Sequence, residues 1–226
     1  MAERGGATGI DLVAAGKVGG VPAAFLDGRD RDLLTPVRFA TPGEALDFSP
    51  PAVERGALAR GLAVANSGYG HPRAEALAAK LADPATRVVV TGQQTGLFGG
   101  PLLALVKAAA AVRWAEALEA AGEPAVAVFW MATEDHDFAE VAKTSFLAPD
   151  GARSFDLGAD PAPLLPVGMR SVGGSVEGVL AALRATFTSA WFAGWLDRLA
   201  GWWRPDARFG EAFARQMVAT FGGRSP

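Results

Sequence analysis

Two stretches of this chain hold side chains that can do chemistry. The first is Thr91-Gly92-Gln93-Gln94-Thr95-Gly96-Leu97-Phe98-Gly99-Gly100-Pro101. Its glycines let the backbone turn tightly, and free N–H groups at the start of a following helix suit an anion. Gln93 and Gln94 add two amides where no solvent-facing role demands them. The plain alternative is that such a turn only reverses the chain. Thr91, Gly92, Gln93, Gln94, Gly96 and Gly99 are the candidate contacts to an anionic part of a ligand. The pattern is neither the dinucleotide fingerprint nor the P-loop, because no Gly-Lys-Ser/Thr follows. The second stretch is Glu134-Asp135-His136-Asp137. An imidazole beside a carboxylate can move a proton near neutral pH. In an extended segment Glu134 and His136 share one side, with Asp135 and Asp137 on the other. Either aspartate can instead serve only to cap a following helix. Metal binding is a third reading, although the spacing matches no zinc motif. His136 is taken as the acid–base or substrate-binding residue, with Asp135 and Asp137 orienting it and Glu134 as a binding group. Lys107 stands alone in the apolar run LLALVKAAAAV. It can reach back toward the glycine turn or snorkel along apolar surface to water.

The elements that must position these groups can be read from the pattern around them. Residues 87–90 are a short β-branched run of the kind buried in a parallel sheet. Pro101 suits the first position of a helix, which is expected over 102–118 and should stop near Gly122, a residue able to take the left-handed cap conformation. A second apolar strand over 125–132 leads directly into Glu134. In a right-handed strand–helix–strand crossover both strands are parallel, so both polar stretches emerge at one carboxyl edge of the sheet. Ligands of open α/β sheets bind in the crevice outside that edge.

TGQQTGLFGGP, the helix carrying Lys107, and FWMATEDHDFAEV together resemble the bacillithiol biosynthesis cysteine-adding enzyme (BshC) family. The likeness continues more weakly over residues 25–221. It implies a Rossmann-like α/β fold with a mostly parallel sheet, flanking helices and extra peripheral helices. It implies a ligase that joins L-cysteine to glucosaminyl-malate through an amide bond. A lysine at the matching family position gives Lys107 a substrate-facing role. The cofactor stays open, a nucleotide such as ATP or ADP being the candidate. Family members continue for several hundred residues, beginning with another sheet strand and including a helical coiled coil. The resemblance thus implies that this chain covers the N-terminal portion, truncated relative to the family, with an exposed sheet edge and an incomplete catalytic set. Partners would be the small-molecule substrates, a second copy in a homodimer, or the missing C-terminal part. The competing reading is a non-catalytic binding module or inactive remnant.

The rest of the chain bounds these readings. It has 226 residues, 50% hydrophobic and 20% charged, enough apolar material for a sizeable core and too much for general disorder. A net charge of -3 gives no sign of nucleic-acid binding. The absence of cysteine excludes a disulfide, a thiolate nucleophile and Cys-ligated zinc. No apolar signal core or membrane-length run is visible, so a cytoplasmic location is expected. Residues 1–24 are expected to be loose, 25–226 to form the Rossmann-like domain, and 160–226 to be its mainly helical connecting region. Within this, 25–51 reads as irregular structure, 52–65 and 73–81 as helices, and 66–72 as a turn. His71 in that turn reads as a surface residue or a ligand contact. Residues 143–147 and 154–157 can pair as a hairpin, and 160–174 reads as a Pro- and Gly-rich connector. One or two amphipathic helices over 176–203 carry Leu180, Leu183, Phe187, Trp191, Trp195 and Leu199, read as core or interface. A last helix over 207–221 packs Phe209, Phe213, Met217 and Phe221.

Overall fold

The computed structural model describes residues 11–27, 29, 42–45, 53–148 and 150–223. Expectations for residues 1–10, for most of 25–51 and for 224–226 lie outside them. The chain divides into two compact units, Met1–Phe48 and Ser49–Pro226. The first contains helix α1 (Gly20–Leu26) and the single turn α2 (Pro42–Ala45). Both lie in sequence read above as loose or irregular, and Asp11 also accepts the N–H groups of Val13 and Ala14.

In the second unit α3 (Gly56–Gly68) and α4 (Ala74–Ala82) form an alanine-rich helical hairpin. Its helices differ by a few residues from the expected bounds. Strand β1 (Arg87–Gln93) follows, then a 3-10 turn (Leu97–Gly99) and helix α5 (Leu102–Ala120). Strand β2 (Ala125–Met131) pairs with β1 in parallel, Arg87 opposite Ala125 and Gln93 opposite Met131. This is the expected crossover with two corrections. β1 runs three residues past Val90, so Thr91, Gly92 and Gln93 are strand residues and not turn residues. Pro101 caps α5 from just outside it, with extended backbone. Gly122 ends α5 as expected, with φ +88. The N–H of Glu123 then reaches the Leu118 carbonyl.

Beyond β2 come the one-turn helix α6 (Phe138–Val141) and the hairpin β3 (Lys143–Ala148)–β4 (Gly151–Asp156). The 160–174 connector holds a second 3-10 turn at Val167–Met169. The stretch after it forms two helices, α7 (Ser175–Thr186) and α8 (Ala190–Trp202), and α9 (Phe209–Phe221) closes the described chain. Leu180, Leu183 and Leu199 are buried, whereas Trp191 is 74% exposed and stands outside the core.

The two faces of the β1–β2 sheet carry different cover. Val88, Val126 and Val128 pack against Ala59, Ala63, Ala78 and Leu81 of α3 and α4. On the other face Phe129 and Met131 join a large aromatic core built from α7, α8 and α9, including Trp203, Phe209 and Phe213. Along β2 runs a mostly apolar cavity of about 280 Å³ reached by both layers, with Leu62 and Leu77 on one side and Met217 and Phe221 on the other. The ladder bonds at its ends, Arg87 N–H to Pro124 and Ala132 N–H to Gln93, fix the alternation. The N–H and C=O groups of Ala127 and Phe129 therefore point away from β1. These two residues line the cavity.

Candidate active site

At the carboxyl edge of the two strands the two polar stretches meet through side chains. Lys107 Nζ donates to Gln93 Oε1 (3.1 Å), and Gln93 Nε2 donates to Gln94 Oε1 (3.0 Å). Gln94 Nε2 donates to both Asp135 Oδ2 (3.1 Å) and Glu140 Oε2 (3.0 Å). The crossover makes this reach possible. β1 and β2 end side by side, and Lys107 lies on the turn of α5 that passes back over the end of β1. One cation therefore stands at one end of a row of two amides, and two carboxylates stand at the other. Each amide oxygen faces the lysine side and each amide nitrogen the carboxylate side.

The glycine turn between β1 and α5 is shaped by its own packing. Residues 95–99 are buried. A Cβ on Gly96 would stand 2.5 Å from Gly100 Cα, and one on Gly99 (φ +99) would stand 2.8 Å from Gln216 Nε2. The N–H groups of Gly96, Gly99 and Gly100 are bonded to the carbonyls of Gln94, Gly96 and Leu97. They are therefore turned inward, away from the phosphate cradle that a glycine-rich turn can form. These three N–H groups are therefore not presented to a nucleotide phosphate. Gly92 faces Trp130 across the ladder. Phe98 takes left-handed backbone (φ 53, ψ 34), a conformation that costs about 1–3 kcal/mol and needs outside support. Gln216 of α9 supplies it, donating to the Phe98 carbonyl (2.8 Å) and accepting from Trp203 Nε1 (2.8 Å). The sequence signal for Gln216 was present: one polar residue inside the apolar stripe Phe209–Phe213–Met217.

The carboxylate stretch folds as a turn and not as an extended segment. Asp135 points inward to Gln94, while Glu134 and His136 are exposed. Asp137 caps α6 by accepting the Glu140 N–H (3.0 Å), the capping reading foreseen for it. His136 Nδ1 lies 3.9 Å from Asp135 Oδ1, within ion-pair range and too far for a hydrogen bond. Asp137 bonds to the Glu140 backbone rather than to the imidazole. The Asp137 N–H, with help from Gln94, holds the Asp135 carboxyl below its ordinary range, so it is ionised at neutral pH.

The connector after β4 buttresses this turn, a role sequence reading missed. Val167 N–H donates to the Asp135 carbonyl (2.7 Å) and Gly168 N–H to the Thr133 carbonyl (2.8 Å). The connector is held by Arg170, which is 4% exposed. Arg170 bonds both oxygens of Asp160 and the carbonyls of Leu165 and Ala162, and its guanidinium lies 4.9 Å above the Phe138 ring. Among the described residues no three metal-ligating side chains converge, and no helix is long and apolar enough to cross a membrane. His71, the other residue considered for ligand contact, lines the apolar cavity beside β2 and takes no part in this crevice.

The chain matches the family described as bacillithiol biosynthesis BshC, N-terminal Rossmann-like domain, over residues 41–224. A protein of Solibacter usitatus (strain Ellin6076), provisionally named cysteine ligase BshC, is 50% identical over 97 residues, covering 43% of this chain and 17% of that protein. One of Koribacter versatilis (strain Ellin345), with the same provisional name, is 68% identical over 53 residues, 24% of this chain and 10% of its own length. A third, of Salinibacter ruber (strain DSM 13855 / M31), is 33% identical over 145 residues, 62% of this chain and 26% of its own. The chain thus spans a minor part of the relatives it matches. With the family matched over most of its length and both motifs joined at one sheet edge, this chain belongs to the BshC family, in the region of that family's N-terminal Rossmann-like domain.

Proposed function

We propose that this crevice takes part in joining L-cysteine to glucosaminyl-malate by an amide bond, the whole protein acting as a cysteine ligase. The supporting observation is the hydrogen-bonded row from Lys107 to Asp135 and Glu140, which orders a positive end and a negative end across one crevice. Amide formation brings together a carboxylate and an ammonium group. The Lys107 ammonium suits the first, and ionised Asp135 suits the second. Exposed His136, beside ionised Asp135, is the group able to take the proton that the ammonium must lose before its nitrogen can attack. The C–N bond forms as one carboxyl C–O bond breaks, that oxygen leaving with an activating group such as a phosphoryl from a nucleotide co-substrate.

The test is ligation by the whole protein, read by mass spectrometry as a product weighing the sum of both substrates less one water. His136→Ala should abolish product while far-UV circular dichroism stays unchanged. Undiminished turnover by that variant would end the assignment of His136. A second reading is kept because the chain spans so little of its relatives: a binding module without chemistry of its own. Uptake of L-cysteine in calorimetry with no product under any condition would favour it.

A further inference from the structure

We propose that Glu140 is a positioning residue, which with Asp135 fixes the Gln94 amide and through it the facing of Gln93 and Lys107. The proposal rests on the cysteine-ligase reading only for the identity of what the crevice binds. Glu140 lies outside the charged run Glu134–Asp137, and by itself it reads as a solvated residue on a one-turn helix. Its placement says otherwise. Phe138 and Val141 of the same turn are buried, Phe138 between the Arg170 guanidinium and the Phe209 ring, at 4.9 and 6.4 Å. Asp137 fixes where the turn begins. Rotation of α6 is therefore locked, and Glu140 is aimed back over the crevice at Gln94, 46 residues away in sequence.

The consequence follows from amide chemistry. A glutamine amide can rotate by half a turn at little cost and exchange its donor and acceptor ends. Here Gln94 Nε2 donates to two carboxylates, so the flipped state would set its oxygen against two negative charges. Gln94 Oε1 is held toward Gln93, whose own oxygen is thereby held toward Lys107. The lysine keeps its remaining N–H donors for an anionic group of a ligand. Asp135 alone offers one acceptor to a donor with two hydrogens. Glu140 supplies the second and makes the orientation single.

Two readouts test this with Glu140→Ala and Glu140→Gln, both at an exposed position where folding is not at stake. The first is the Gln94 side-chain amide in nitrogen-15 spectra of the full 226-residue chain. In the unaltered protein its two proton signals should both lie away from those of a free glutamine amide, each N–H facing a carboxylate. Glu140→Ala should return one of them toward the free-amide position, and Glu140→Gln should keep it displaced, because glutamine still offers an oxygen. The second is ligation, where Glu140→Ala should lower kcat/KM about tenfold, the worth of one hydrogen bond to a charged group, and Glu140→Gln should recover most of it. Gln94 signals identical in Glu140→Ala and the unaltered protein would overturn the proposal. So would altered signals with unchanged kcat/KM, which would make the contact merely structural. If the unaltered protein ligates nothing, the cysteine-ligase reading fails by itself. L-cysteine affinity, measured calorimetrically for the same variants, then replaces kcat/KM, and an affinity indifferent to Glu140→Ala overturns the proposal.

Discussion

The two faces of the β1–β2 sheet are packed by different chemistry, and the site depends on one of them. The α3–α4 face is covered by small side chains, Ala59, Ala63 and Ala78, with leucines around them. The opposite face is covered by rings. Phe98 stands edge-on to Trp203 at 5.5 Å, Trp203 to Phe209 at 5.2 Å, and Phe209 to Phe138 at 6.4 Å. Phe98 belongs to the glycine turn and Phe138 follows the carboxylate run. The aromatic core therefore links the two halves of the crevice from beneath, through Trp203 and Phe209, which are remote in sequence from both. The alanine face supports the strands, through Val88, Val126 and Val128.

Breaking each side should separate these roles. Phe213→Ala removes the ring that meets Phe129 at 5.9 Å and should cost about 3–5 kcal/mol, read as a fall in the urea midpoint. Leu77→Ala, on the half-buried margin of the alanine face, should cost about 2 kcal/mol and leave ligand affinity unchanged. Equal costs would erase the contrast. Gly99→Ala forces a Cβ toward Gln216 at a positive φ. It should cost about 1–3 kcal/mol in stability and also weaken ligand uptake, since the turn carrying Gln94 must shift. A loss of stability with unchanged uptake would cut the link from core to crevice.

The smallest effect belongs to His71 on the alanine side. Burial first, and the Arg73 charge second, lower its pKa below 6.5 in the folded protein. The folded state thus disfavours the charged imidazole, and the unfolded chain binds more protons just below that value. The contribution of His71 is complete above pH 6.5 and is lost as pH falls toward its folded pKa. His71→Gln should flatten the fall in urea midpoint across that window, and an unchanged slope would exclude His71 as its source.

Periodicity and turn chemistry made the crossover legible, because β-branched runs, Pro101 and Gly122 are local signals. They placed Gln93, Gln94 and Asp135 at one edge and left Lys107 between that edge and open water, and the structure joins all four. What local signals could not show was direction. Thr91 and Gly92 read as turn because glycine is common in turns, whereas pairing with Phe129 and Trp130 keeps them in the strand. Glu134 and His136 were expected on one side and are both exposed, and Asp135 turns inward by folding of the segment and not by strand alternation. Gln216 and Arg170 act through a contact 118 residues away and through backbone carbonyls, respectively. The apolar stripe marks Gln216 as out of place, but nothing local names the partner of either residue.

Ligands are expected in the polar crevice at the carboxyl edge and not in the apolar cavity beside β2. Titrating L-cysteine into the nitrogen-15-labelled chain tests this most directly. Shifts should concentrate at Gln93, Gln94 and residues 133–140, with the Lys107 region following. Shifts confined to Leu62, Val112 and Phe221, which line the apolar cavity, would contradict it.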